Sequence, residues 1–222
     1  MLRTQRLSLA IVALLLPATA ARADNYYVIV FGAESKPQRP KFSHSWATFV
    51  RLPASEGPSL APTPIESFTI SWLPQVVVLH PLRLRPEPGA NFDLPTTLQA
   101  VLSQCEEVAA WGPFEIQERL YCRALRHKQQ LEADEIRYKT IDFAHNPNRV
   151  SNCIHALTVF NTENRRLRVG RTNFGERASF QVAQSYADWI VNSCQTHCWV
   201  ADILGLNDYP IKWRSLEEGR PG

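Results

Sequence analysis

The sequence predicts an α+β fold, a small antiparallel sheet packed against helices. Two patterns carry that expectation. Between residues 26 and 80, short β-branched and aromatic runs are separated by proline-rich turns. From residue 95 onward, apolar residues instead recur at helical spacing. With 222 residues, 45% of them hydrophobic, the chain is long enough for one domain with a sizeable core.

The elements follow in order. Residues 26–32 (YYVIVFG) read as a buried strand. Residues 42–52 read as a second strand. Side chains alternate along a strand, so His44, Trp46, Thr48 and Val50 share one face and Ser45, Ala47, Phe49 and Arg51 the other. Pro53, Pro58, Pro62 and Pro64 mark a surface loop rather than a domain linker, because strands flank it. Residues 65–72 alternate, and residues 76–80 form a short apolar run closed by Pro81. These closely spaced runs suit meander connections. A helix is expected from Pro95 to about residue 109, carried by Leu98, Val101, Leu102, Cys105, Val108 and Ala109 and ended by Trp111-Gly112-Pro113. A second helix is expected over 114–132, a strand over 136–143 and a helix over 178–193. Residues 166–172 read as a turn or strand, and the tail from Lys212 as polar and frayed.

The first 23 residues stand apart. Arg3 and Arg6 precede an apolar run from Leu7 to Leu16, and Ala21-Arg22-Ala23 supplies small residues for a peptidase. The run is short for a membrane span. A cleaved secretory signal over 1–23 is therefore expected, with one domain over 24–222, a secreted or periplasmic location and no stable membrane anchor after cleavage. An uncleaved anchor is the alternative. The segment contains Arg3, Arg6 and Arg22 and no acid, which accounts for the whole net charge of +3. The remainder is neutral, so nucleic acid is not an expected partner. The basic run Arg165, Arg166, Arg168 and Arg171 reads as a solvated turn or strand.

The chemistry centres on Val150-Ser151-Asn152-Cys153-Ile154-His155-Ala156-Leu157, a polar turn entering an apolar helix with Cys153 in its first turn. Backbone N–H groups at a helix start favour a thiolate, so Cys153 is a candidate nucleophile. A buried thiol or half of a disulfide is the plainer alternative. Thiol catalysis also needs a base and donors for the oxyanion. His44, at the entrance of its strand, is the best base. His155 is two residues past Cys153, so on a helix it points elsewhere and packs or hydrogen-bonds.

This order resembles the circularly permuted branch of the NlpC-type, papain-like cysteine hydrolases, to which lecithin retinol acyltransferase and several bacterial envelope amidases belong. His44-Ser45-Trp46-Ala47-Thr48-Phe49-Val50 is similar to that family's histidine strand, and Ser151-Asn152-Cys153-Ile154-His155-Ala156-Leu157 to its nucleophile helix. The resemblance spans residues 26–160. It implies a permuted papain-like sheet and acyl transfer or hydrolysis at an amide or ester, with no cofactor. It also implies Tyr138 as an oxyanion donor and a third polar group on a neighbouring strand. His80 is the first candidate for that group, then Glu66; Asp142 ranks lower because it sits near the Cys153 segment. Two departures stand out: Ile154 follows the cysteine where many members carry a small or hydroxyl residue, and the third group has no unambiguous match. Export makes peptides, cell-wall material or lipid acyl groups the accessible substrates.

Five cysteines in an exported chain leave one thiol over. Cys105 and Cys122 flank the Gly112-Pro113 turn at similar distances. On a helical hairpin they face each other, so a Cys105–Cys122 disulfide is expected; two separately buried thiols are the alternative. Cys194-Gln195-Thr196-His197-Cys198 reads as a Cys194–Cys198 disulfide, strained at that spacing. A metal site there lacks a second ligand pair, so none is expected. No Gly-Xaa-Ser-Xaa-Gly or phosphate-loop motif is present. Three functions compete: a thiol hydrolase or acyltransferase, a non-catalytic binding module of the same fold, and a disulfide-bonded structural protein.

Overall fold

The computed structural model describes residues 23–39, 43–54, 65–76, 79, 83–104, 106–143, 145–146, 148–161, 167–168 and 174–218. The expected secretory signal, His80, Cys105 and most of 166–172 lie outside these residues. The chain is α+β, as expected. A five-stranded sheet of order β3-β2-β1-β6-β9 runs through its middle, built from β1 (Asn25–Glu34), β2 (Ser43–Leu52), β3 (Glu66–Ile70), β6 (Glu107–Ile116) and β9 (Ile211–Arg214). The first four pair antiparallel, and β9 joins β6 in parallel, so the sheet is mixed. Two small pairs lie outside it: β4 (Trp72–Pro74) with β5 (Gly89–Asn91), and β7 (Arg137–Tyr138) with β8 (Val150–Ser151).

Both faces of the sheet are covered. One face, carrying Val28, Val30, Ala47 and Phe49, packs on α2 (Glu118–Glu132), α3 (Cys153–Thr158) and α4 (Glu176–Ser185). The other, carrying Ile29, Phe31 and Trp46, packs on α1 (Leu94–Ser103) and α5 (Cys198–Ile203). A strand buried on both sides needs apolar residues at every position, and β1 is unbroken in this way from Tyr26 to Ala33. The expected face assignment in β2 holds. His44 stacks on Trp46 with ring centroids 5.4 Å apart, while Ser45 turns the other way to the Ser179 hydroxyl at 2.7 Å.

Four expectations are corrected. The helix expected to about residue 109 stops at Ser103, and 107–116 form the strand β6, so there is no helical hairpin. The run Val108, Ala109, Ala110 and Trp111 is apolar because β6 is buried on both faces, which periodicity alone does not distinguish from a helix. Gly112-Pro113 ends no helix. It forms a bulge opposite β1, where the register slips between Val28 and Val30. Gly112 has φ 101°, and a Cβ there would lie 2.7 Å from the Val28 carbonyl oxygen, so only glycine fits. The tail does not simply fray: Ile211–Arg214 forms the edge strand β9, with Lys212 on the Glu107 carboxylate at 2.5 Å. The strand expected over 136–143 shrinks to two residues, and the run at 76–80 forms no strand in its described part, Val76 and Leu79.

The disulfide expectations change too. Cys122, Cys194 and Cys198 are free, exposed thiols. With β6 between α1 and α2, the hairpin that would align Cys105 with Cys122 does not exist. Cys194 sits in the turn before α5 and Cys198 is the first residue of that helix, and the expected bridge between them is not made.

Candidate functional site

The site forms where β2 begins. β3 pairs with β2 only from Ala47 onward, which leaves the edge of β2 at residues 43–46 unclaimed by that strand. The start of α3 packs against β2, and the main-chain N–H of Ser45 is near enough to the Cys153 sulfur to favour its thiolate. Cys153 therefore meets the strand one residue from His44. Burial pushes the Cys153 thiol up to about 11, against the N–H groups of Ser45, Ile154 and Cys153 itself, which pull it down. Desolvation outweighs the helix start.

The turn carrying Cys153 is held by Asp142. Its buried carboxylate accepts from the Asn152 main-chain N–H at 3.1 Å and the Asn152 side-chain amide at 3.2 Å. It also meets His155 Nδ1 at 2.8 and 2.9 Å. Asn152 in turn caps α3, accepting the His155 N–H at 2.8 Å. The His155 ring is buried, with Nε2 on the Leu167 carbonyl at 3.1 Å. As expected, His155 hydrogen-bonds away from the thiol. Asp142, by contrast, organises the turn that carries Cys153, through Asn152 and His155.

His44 is 4% exposed, and burial pushes its imidazole down to about 3. Its Nε2 lies 2.9 Å from the Ser71 hydroxyl, and Ser71 lies 2.9 Å from the Thr97 hydroxyl. Thr97 is 2.7 Å from the Asp93 carbonyl, which can only accept. The Thr97 hydroxyl donates to the Asp93 carbonyl and is also oriented to donate to Ser71, so Ser71 is an acceptor toward Thr97. The bond to Ser71 engages Nε2 and leaves Nδ1 outside this chain of hydroxyls. Nδ1 has no hydrogen-bond partner among the described residues, the Cys153 sulfur included.

The other expected residues fall as follows. Tyr138 is buried, 1% exposed, and clasped on both sides by backbone bonds to Glu87 and by pairing with Ser151. Burial raises its phenol well above the ordinary value, and the neighbouring Cys153 adds to the rise. Glu66 opens β3 at the far end of β2 and binds Arg51 at 3.0 Å, away from His44. Ser71 occupies the position beside the imidazole for which His80, Glu66 and Asp142 were the candidates. A hydroxyl between Ile70 and Trp72 in an apolar run was the available signal. Glu106 was also missed: it is 7% exposed, its Oε2 has no partner among the described residues, and burial pushes it up to about 7.

Among the described residues, no group of three or more His, Cys, Asp or Glu side chains is arranged to hold a metal, and no helix is long and apolar enough to cross a membrane. His197, between the two exposed cysteines, packs edge-on to Tyr27 at 5.0 Å. Comparisons with family models, with curated proteins and with solved structures found no match for this chain.

Proposed function

We propose that the protein is an exported thiol hydrolase or acyltransferase of permuted papain-like architecture, with Cys153 as nucleophile and His44 as base. The observation that supports this reading is the packing of α3, which begins at Cys153, against β2, with the sulfur near the N–H of Ser45, the residue after His44. The sulfur attacks an amide or ester carbonyl and forms a C–S bond. The thiol proton passes to His44 Nδ1, the nitrogen not committed to Ser71, and then to the leaving nitrogen or oxygen as its bond to carbon breaks. Water or a second nucleophile releases the acyl group. The oxyanion takes the Cys153 N–H, with the Tyr138 hydroxyl as second donor. Export rests on the N-terminal segment, and peptides, cell-wall material or lipid acyl groups are the substrate classes.

A second reading, a non-catalytic binding module of the same fold, draws on a different observation. With the thiol pushed up to about 11 and the imidazole down to about 3, the pair rests uncharged, and Nδ1 makes no bond to sulfur. An activated ester such as p-nitrophenyl acetate separates the two readings. The hydrolase acquires an acyl group on Cys153 ahead of the exposed Cys122, Cys194 and Cys198, and His44→Ala slows that step at least tenfold, a loss on the order expected for a general base. If Cys153 acylates no faster than the exposed thiols, the binding module stands and the hydrolase falls.

A further inference from the structure

On the α1 side of the sheet, across His44 from the Cys153 turn, lies a cavity of about 150 Å³. Its walls are apolar, formed by Leu73, Phe92, Ala100 and Val101, and Ser43, His44 and Glu106 give it a polar side. A cavity of this size in another protein accommodates benzene, so a group of about five or six heavy atoms fits. Charge narrows the choice. Glu106 is the only acidic residue among the described lining, and no lysine or arginine is among them. Lys36 and Lys212, the cations near this strand end, are committed to Glu107 at 2.6 and 2.5 Å. The one other titratable lining residue, His44, has its Nε2 engaged by the Ser71 hydroxyl.

We propose that this cavity binds a short aliphatic primary amine, its alkyl chain against Leu73, Phe92, Ala100 and Val101 and its ammonium group at Glu106. A carboxylate ligand would face an acidic wall with no cation to answer it. A neutral alcohol would fill the same volume and leave Glu106 buried without a counter-charge. The inference goes beyond the hydrolase reading and does not require Cys153 to act as a nucleophile. Burial alone pushes Glu106 up to about 7, so its carboxyl is protonated in acid and available as an anion above neutrality. The ammonium keeps its own proton until about pH 10. Amine binding therefore strengthens from pH 5.5 to pH 8.5.

The test uses the whole protein and three probes of similar size, n-butylamine, 1-butanol and butyrate, followed by ligand-observed NMR and calorimetry. Butylamine is expected to bind with a dissociation constant on the order of millimolar, the range open to so small a ligand. Butanol binds at least fivefold more weakly and butyrate not at all. Glu106→Gln lowers butylamine affinity at least tenfold and abolishes its pH dependence. Ala100→Leu, which fills a half-buried wall, blocks butylamine while the far-UV circular dichroism is unchanged. Failure of all three probes, equal binding of butylamine and butanol, or undiminished butylamine binding to Glu106→Gln would overturn the proposal. None of these results depends on whether Cys153 acylates, so the two ideas fail separately.

Discussion

Ser71 decides how His44 can act. A buried imidazole carries one proton between two nitrogens, and its neighbours determine which nitrogen holds it. Here Nε2 meets the Ser71 hydroxyl, which also accepts from Thr97, while Nδ1 has no partner among the described residues. Ser71→Ala removes the partner of both His44 Nε2 and the Thr97 hydroxyl in a position with no solvent access. Stability to urea should fall by about 1–3 kcal/mol, the cost of leaving a buried donor unmatched. In the hydrolase reading, acylation of Cys153 should fall as well, because the imidazole loses the hydrogen bond that orients its ring. An unchanged urea midpoint would mean that this chain of hydrogen bonds is not formed. The sequence pointed to a polar partner for His44 on a neighbouring strand, among His80, Glu66 and Asp142; Ser71, which meets Nε2, lies between β3 and β4. Histidine and carboxylates attract attention as catalytic partners, whereas a serine between Ile70 and Trp72 reads as a gap in an apolar strand.

The elements show where sequence periodicity succeeds and where it fails. β1 and β2 were legible because β-branched and aromatic residues fill them, and the inward and outward sets of β2 follow from alternation alone. β6 was not legible: a central strand buried on both faces loses its alternation, and Gly112-Pro113 in its middle imitates a stop signal. The short helix α3 was legible by its polar entry, but not the group that holds it. Asp142 ranked low as a partner for His44 because it lies near Cys153 in sequence, and that nearness is what lets it bind Asn152 and His155. Asp142→Asn keeps the size but replaces an acceptor with an amide donor facing three donors. We expect a loss of about 2–4 kcal/mol in urea unfolding, with the start of α3 the first region to lose amide hydrogen-exchange protection. If the loss is no larger than that of an exposed Asp134→Asn control, Asp142 does not hold the turn.

For the whole molecule, a sheet covered on both faces leaves titratable groups in places where charge is costly, and this sets how stability depends on pH. His44 and His127 have folded values pushed down by burial, to about 3 and about 4. Below the ordinary histidine value near 6.5, the unfolded chain takes up protons that the folded chain refuses. Their contribution is therefore present at neutral pH and is lost as pH falls from about 6.5 through 4 and then 3. Each contributes a slope of about 1.4 kcal/mol per pH unit across its window. Glu106 works in the opposite sense. Its folded value is raised to about 7, so the folded chain keeps a proton that the unfolded chain releases above about 4.5, and stability falls as pH rises between those values. Between 4.5 and 6.5 two histidines oppose one glutamate, and the net slope is that of about one proton, with stability decreasing toward acid. Below 4.5 the opposition ends and the decline steepens; the lowered carboxylates Asp24, Asp93 and Glu107 add to it as pH falls further. Glu106→Gln removes the opposing group. It should steepen the acid decline between 6.5 and 4.5 and raise stability at pH 8 by roughly 1–2 kcal/mol, after allowance for partial solvent access. Urea unfolding at pH 8, 6.5, 5.5 and 4.5 measures both effects. A wild-type protein equally stable at 6.5 and 4.5, together with a Glu106→Gln variant no more stable at pH 8, would mean that neither the imidazoles nor the carboxyl are held away from water as described.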